Sequence, residues 1–309
     1  MTHLYTCKNL STNMIDFIEP GAFRQLSNLK IIDLHGNQFE VFNTEALIDL
    51  EKLIELRLHS QTPDMMSILF NSMINIGKSL KYLFVSDNAL THIPHHVFTE
   101  GNFPELIELY ADHNGITNIT DLDEKGYGVT LRSTFLEKQK KLVPFGNTTN
   151  IQTLFLHNNL IVQINDSDLC ELQRLQNLHL QYNRLNENRI QENGFKCLSS
   201  MIYLDLSGNY NMQYIPTALT THTKLPSIQT LQLSNNKITF LEAGTFSNVS
   251  TLISLNLQNN LIVAIENNTF PLQLQILNLN SNSFRFIHEH QFSYLSNMVD
   301  LNLGNNEIS

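Results

Sequence analysis

Apolar and polar positions along the chain repeat in blocks of about 24 residues. The pattern L-x-x-L-x-L-x-x-N is clearest around residues 228–236 and recurs at 252–260, 274–282 and 298–306. Of the eleven intervals between successive pattern-ending amides, five equal 24 residues, and one, from 114 to 159, is far longer. A fixed short period of this kind is typical of a solenoid, in which each block forms one rung.

The L-x-L step within each block predicts one short strand per rung. Side chains alternate between the two faces of a strand, so both Leu positions point inward while the residue between them points outward. A single rung cannot bury its apolar face, but stacked rungs can, and strands that repeat in the same sense are parallel. Ile and Phe at wider spacings favour short 3₁₀ or irregular segments on the bulkier outer side.

The amide that ends each block has a structural role. The chain must bend sharply after the strand, which turns backbone N–H and C=O groups inward, and an Asn side chain can both donate to and accept from them. Gln61 takes the place of Asn once. We call this set the asparagine ladder. Its predicted members are Asn37, Asn88, Asn114, Asn159, Asn183, Asn209, Asn236, Asn260, Asn282 and Asn306.

These motifs resemble the leucine-rich repeat family in its typical 24-residue class, which has an internal Phe such as Phe246 or Phe270. The resemblance covers the chain except for about 120–150. It implies an α/β solenoid, a horseshoe with a parallel β-sheet on the concave face and short 3₁₀ or irregular segments on the convex face. The same class is similar to Toll-like receptor and chaoptin-like ectodomains and to small leucine-rich proteoglycans.

The repeat predicts one leucine-rich-repeat domain over 1–309, of about twelve rungs, with an inserted loop at about 120–150. The insertion carries Arg132, Lys138, Lys140 and Lys141. It could fold over the strands, present a basic patch to an acidic partner, or form a solvated loop. Neither end shows the polar cap that solenoids need, so we interpret both ends as truncated.

The charge and hydropathy of the chain disfavour two classes of partner. The formal net charge is −10, with a pI of about 5.6, which argues against a nucleic-acid or anionic-membrane surface. No apolar run reaches the length of a membrane span. The first residues lack the pattern of a signal peptide, so we expect membrane contact only through a segment outside this chain.

The sequence shows no nucleophile–base pair, phosphate-binding loop or paired-carboxylate motif, so we predict no catalytic residues, no enzymatic activity and no cofactor. His92, His95 and His96 cluster in sequence, but they lack a Cys or carboxylate at ligand spacing, and we predict no metal site. His35, His59 and His157 share one column, and the first two, on neighbouring rungs, could form a pH-sensitive surface or be simply solvated.

Cys170 and Cys197 lie at nearly equivalent positions of adjacent rungs. A disulfide between them is geometrically possible. The alternative is a pair of separate, partly buried thiols that pack as small apolar groups, which is the more common arrangement.

Three consecutive rungs place an aromatic residue at the outward strand position, namely Phe84, Tyr110 and Phe155, and Tyr82 lies on the same face. An exposed aromatic row on a rigid sheet is typical of a binding hot spot. The alternative is that the rings only cover the sheet by packing on each other. The predicted ligand-binding residues are Tyr82, Phe84, Tyr110, Phe155, His157 and His179.

The resemblance implies a non-catalytic protein-recognition scaffold. It would be the ligand-binding or adhesion ectodomain of a cell-surface or secreted receptor, of innate immune or cell-adhesion type, with a protein ligand or co-receptor on the concave face. The alternative is a cytosolic leucine-rich-repeat adaptor. A third option is a nucleic-acid-sensing receptor, which the net charge of −10 disfavours outside a low-pH compartment where the histidines are charged. Six N-x-S/T sequons are no more than chance gives, so the extracellular, glycoprotein assignment follows from the resemblance alone. The sequence does not predict an oligomeric state.

Overall fold

The computed structural model describes residues 6–62, 67–69, 78–93, 103–119, 145, 148–220, 225–289 and 291–309. The chain forms two compact units, Met1–Leu160 and Ile161–Ser309. In each unit successive repeats contribute three-residue strands to a parallel sheet. The predicted solenoid with a parallel β-sheet is therefore confirmed.

The strands of the first unit are β1 (Cys7–Asn9), β2 (Ile31–Asp33), β3 (Val41–Asn43), β4 (Glu55–Arg57), β5 (Ser67–Leu69), β6 (Tyr82–Phe84), β7 (Glu108–Tyr110) and β8 (Thr153–Phe155). Six of them form a run in the order β1-β2-β4-β6-β7-β8, and β3 pairs with β5 in a separate two-stranded sheet. A 3₁₀ helix, Thr44–Leu47, follows β3.

The strands of the second unit are β9 (Asn177–His179), β10 (Tyr203–Asp205), β11 (Thr230–Gln232), β12 (Phe240–Leu241), β13 (Ser254–Asn256), β14 (Ala264–Ile265), β15 (Ile276–Asn278) and β16 (Asp300–Asn302). Six of them form a parallel run in the order β9-β10-β11-β13-β15-β16, and β12 pairs with β14 separately. The α-helix of this unit, α1 (Thr217–Thr220), is a single turn.

From β2 onward, the middle residues of the strands in the two six-stranded runs form the apolar spine of each unit. Leu231 lies opposite Leu255, which lies in register with the β15 residue Leu277. From β2 to β15 these central side chains in the two six-stranded runs are at most 2% exposed. Full burial of one such Leu stabilises the fold by about 1.5–3 kcal/mol. Leu301, in the last strand, is 36% exposed.

Each strand is followed by the same tight turn. Among the described residues, the residue just before each of the ten ladder asparagines, and the one before Gln61, has a positive φ, between 50° and 66°. This left-handed conformation favours Gly and Asn, and Gly36, Gly208 and Asn158 are examples. A Cβ at Gly208 would clash with the Tyr182 ring, so any other residue there would have to displace that ring. The turn reverses the chain and directs the next side chain, the ladder amide, inward.

Ladder amides connect successive rungs through backbone hydrogen bonds. Asn260 Nδ2 donates to the carbonyls of Leu233 and Leu257, both at 2.9 Å, and Oδ1 accepts from the Ile238 N–H at 3.0 Å. Most ladder side chains are less than 9% exposed. Because each amide bonds to its own rung and the preceding one, it satisfies buried groups that water cannot reach.

Gln61 makes the same set of bonds in the first unit. Its Nε2 donates to Leu34 O at 3.0 Å and Leu58 O at 3.1 Å. Its Oε1 accepts from Phe39 N at 3.3 Å, longer than the equivalent 3.0 Å bond to Asn260. The extra methylene is thus accommodated with one lengthened contact.

Replacing Asn260 with leucine is expected to lower the free energy of unfolding by about 1–3 kcal/mol, because the backbone groups of Leu233, Leu257 and Ile238 lose their buried partner. Urea unfolding of the chain followed by circular dichroism measures the loss. Asn267→Leu, at an exposed position of the same unit, is the matched control and should change stability by less than about 0.5 kcal/mol. Equal stabilities for the two variants would contradict the role of the ladder.

The predicted insertion at about 120–150 lies outside the described residues, apart from Phe145 and 148–150. Arg132, Lys138, Lys140 and Lys141 lie outside them too. The single domain over 1–309 stays a prediction.

Candidate ligand-binding face

The first and third residues of each strand point away from the apolar spine and form the open face of the sheet. In β4, β6, β7 and β8 the central Leu is buried while both flanking residues are half-buried. This alternation follows from the two-residue period of a strand. The open face of the first unit therefore consists of the side chains that the repeat leaves free to vary.

Three rings form a continuous stack across β6, β7 and β8, which we call the aromatic stack. The Phe84 and Tyr110 ring centroids are 4.2 Å apart with planes 15° apart, and those of Tyr110 and Phe155 are 4.4 Å and 13° apart. Parallel strands in register place equivalent side chains about 4.8 Å apart, which is a stacking distance. The rings therefore do pack on each other, as the alternative required, but all three remain half-buried at the surface.

Tyr110 is held by a charged neighbour. Its hydroxyl donates to Glu108 Oε2 at 2.5 Å. Burial, and next the contact with Glu108, raise the pKa of Tyr110 well above its ordinary value, so the phenol is neutral at physiological pH. Tyr82 lies opposite Glu108 in the register of β6 and β7. The Tyr110 hydroxyl and Glu108 therefore form a polar edge of the aromatic stack, which their hydrogen bond holds in place.

A network of ion pairs borders the Phe84 end of the aromatic stack. The Arg57 guanidinium lies 5.7 Å from the Phe84 ring centroid, a cation–π contact. Its Nη1 is 3.1 Å from Asp33 Oδ2 and its Nε is 2.5 Å from Glu55 Oε1. Burial by itself would raise the pKa of Asp33, but hydrogen bonds from His35 and Arg57 outweigh it and lower that pKa. These groups are held in place before any ligand arrives.

His35 and His59 lie beside this network of ion pairs and extend it. The His35 and His59 rings stack at 4.7 Å with planes 5° apart, and His35 Nδ1 lies 2.6 Å from Asp33 Oδ1. Burial lowers the pKa of His59, and the charge of His35 adds to the shift. The His59 ring is therefore neutral at pH 7.

The structure brings five of the six predicted ligand-binding residues onto the first unit. His157 follows β8, and its ring lies 6.2 Å from that of Phe155. His179 belongs to the second unit, where its ring lies 5.0 Å from that of Tyr203. The structure thus places the aromatic stack and His157 next to each other in the first unit, and the role of all six residues in binding stays a prediction.

A group that sequence analysis missed lies beside His157. Asp112, His113 and His157 each offer one metal-ligand atom within 4.8 Å of the other two. His113 and His157 are far apart in sequence because the long interval between 114 and 159 separates them. Aligning the columns of these two rungs would have shown that Asp112 and His157 occupy equivalent positions, each two residues before a ladder Asn.

Cys170 and Cys197 are joined by a disulfide in the second unit, with a Cα–Cα distance of 4.8 Å. The sequence left open either a disulfide or two separate thiols, and the structure contains the disulfide. Cys7 is exposed and unbonded. Within the described ranges, none of the helices has the length and apolar character needed to cross a membrane.

Comparisons with known proteins agree with this architecture. The family model described as "Leucine rich repeat" matches residues 9–61 and 226–271. Podocan of Mus musculus is 28% identical over 258 residues, which cover 82% of this chain and 40% of podocan. Lumican of Rattus norvegicus is 32% identical over 206 residues, or 63% of this chain and 56% of lumican. The chain spans about half the length of the curated relatives it matches.

Two solved structures share the fold at low sequence identity. The TLR13–ssRNA13 complex contains a chain with a TM-score of 0.77 and 24% identity, covering 95% of this chain and 38% of that one. The Toll–Spatzle complex of Drosophila gives a TM-score of 0.74 and 18% identity, covering 97% and 39%. The family model matches a segment in each unit, and both units are built from the same rung, so both units contain leucine-rich repeats.

Proposed function

We propose that this chain is a non-catalytic recognition domain that acts outside the cell, as part of a receptor or adhesion protein. Its relatives include podocan and lumican, and its fold matches Toll in complex with Spatzle. The Cys170–Cys197 bridge supports an oxidising compartment, and so it counts against a cytosolic adaptor.

The aromatic stack is the observation that carries the proposal. Half-buried aromatic side chains offer a large contact area, and because neighbouring rings already restrain them, they lose little conformational entropy on binding. Arg57, Asp33 and Glu108 surround the stack with fixed charges of both signs. A protein partner with an apolar centre and a polar rim fits this arrangement. The net charge of −10 disfavours a nucleic-acid partner.

Phe84→Ala combined with Tyr110→Ala is expected to weaken partner binding at least about 100-fold, since two hot-spot side chains are lost. The measurement is biolayer interferometry of the immobilised chain against an array of purified ectodomains and secreted proteins. The variant also loses two stacked ring pairs, each worth about 0.5–1.5 kcal/mol, so we expect a modest fall in melting temperature.

The matched control is Tyr210→Ala combined with Tyr214→Ala, which removes two exposed aromatic rings from the second unit. This control should bind the partner as the wild-type chain does. The proposal fails if a partner found in the array binds the Phe84/Tyr110 variant as tightly as the wild type.

A further inference from the structure

The turns that follow β7 and β8 bring together two histidines and a carboxylate. Asp112 Oδ2 lies 2.9 Å from His113 Nδ1 and 3.5 Å from His157 Nε2. The side chains of Asp112 and His157 are 13% and 21% exposed, whereas that of His113 is 47% exposed. The group is therefore open to solvent on one side and supported by the fold on the other.

The repeat explains why these side chains converge. His113 occupies the left-handed turn position before its ladder amide, as does Asp87 one rung earlier. Equivalent turn positions of successive rungs stack above one another, and Asp87 Oδ1 lies 4.0 Å from His113 Nδ1. A fourth ligand atom, and the second carboxylate oxygen, is thus at the edge of the group.

Ser86 and Asn158 contact the side-chain atoms of Asp112 and His113 that point away from the centre of the group. The Ser86 hydroxyl donates to Asp112 Oδ1 at 2.6 Å, which leaves Oδ2 to face the histidines. The Asn158 Nδ2 lies 3.0 Å from His113 Nε2, so the His113 Nδ1–H faces Asp112. A metal at Nδ1 would displace that proton, and the Asn158 side chain would then turn its amide oxygen to accept from the Nε2–H, as the outer-shell partner of a metal-bound histidine does.

We propose that Asp112, His113 and His157 form a binding site for a divalent transition metal, with zinc as the best fit. Two imidazole nitrogens and a carboxylate oxygen are zinc ligands, and ligand atoms at tetrahedral zinc lie about 3.3 Å from each other. The two distances from Asp112 Oδ2, 2.9 Å and 3.5 Å, bracket that value, and the two histidine nitrogens lie within 4.8 Å of each other. Asp87 or water completes the coordination. Mg²⁺ and Ca²⁺, which prefer oxygen ligands throughout, fit less well.

The bound metal would cross-link the two rungs that flank the long 114–159 interval, on the same side of the sheet as the aromatic stack. It would therefore hold His157 in place beside Phe155, whose ring is 6.2 Å away. The site does not depend on the proposed function, because zinc binding is measured without any protein partner.

Isothermal titration of the full chain with ZnCl₂ tests the site. We expect His113→Asn and His157→Gln each to weaken zinc binding at least about tenfold, and the double variant to lose one zinc equivalent per chain. Asparagine is chosen at 113 because it tolerates the left-handed turn. His92→Gln is the matched control, since His92 is an exposed histidine of the same unit outside the group.

Circular dichroism melts without metal establish that the variants are folded, and titration with MgCl₂ tests selectivity. Substitution with Co²⁺ adds a spectroscopic readout, because its visible absorption reports nitrogen and oxygen coordination. The proposal is overturned if the wild-type chain binds no zinc. It is also overturned if the double variant of residues 113 and 157 retains wild-type stoichiometry, affinity and Co²⁺ spectrum.

Discussion

Phe246→Ala is expected to lower the free energy of unfolding by about 3–5 kcal/mol, the range for truncating a fully buried phenylalanine. The Phe246 side chain is fully buried, and its ring stacks on that of Phe270 at a centroid distance of 5.9 Å. Phe270 in turn lies 6.3 Å from Phe292. Removal of the first ring leaves a cavity on the outer side of its rung and weakens the packing of the next.

Urea unfolding monitored by circular dichroism measures this loss. The control is Phe286→Ala in the same unit, because the Phe286 side chain is 65% exposed and its truncation creates no cavity. We expect the control to stay within about 0.5 kcal/mol of the wild type. A loss below about 1 kcal/mol for Phe246→Ala would show that the outer side of the rung collapses around the missing ring.

Simultaneous Cys170→Ala and Cys197→Ala substitution is expected to cost about 2–4 kcal/mol. The bridge closes a loop of 27 residues, and a crosslink over a loop of this size restricts the unfolded chain by about that amount. Native contacts change little, since both side chains are only half-buried, on neighbouring rungs. The effect should therefore appear mainly as a lower midpoint of unfolding.

Equilibrium unfolding of the wild type with and without a reducing agent provides an independent check on the disulfide. Reduction should reproduce the loss seen in the double variant and have no further effect on that variant. Cys7→Ala removes the exposed, unbonded thiol and should leave stability unchanged. If reduction leaves the wild-type midpoint unaltered, the bridge contributes nothing to stability.

The proposed binding face and the proposed metal site share one physical origin. In a stack of in-register rungs, each outward side chain meets the equivalent side chain of the next rung at a fixed short distance. Rings at that distance stack, as Tyr110 and Phe155 do. Histidine and aspartate at that distance form a possible ligand set, as Asp112 and His157 do. One repeat therefore supports both kinds of chemistry without changing the backbone.

Much of the candidate site follows from the sequence, since the L-x-L register alone places Phe84, Tyr110 and Phe155 in one column. Their role in binding stays a prediction. The sequence did not show the Asp112–His113–His157 group. Its members come from two adjacent positions of the repeat, and the rungs that carry them are separated by the longest interval in the chain, from 114 to 159. The inclusion of His179 in the binding site stays a prediction as well; its ring lies 5.0 Å from that of Tyr203.

The sequence by itself determined the rung: its strand, its inward leucines, the turn and the ladder amide. These features are local, and a period of about 24 residues repeats them often enough to be unmistakable. Only the tertiary structure decided which outward side chains touch, that Cys170 and Cys197 are bonded, and that two histidines meet at Asp112. These outcomes depend on side-chain directions between rungs, and intervals that vary from 22 to 45 residues do not specify those directions.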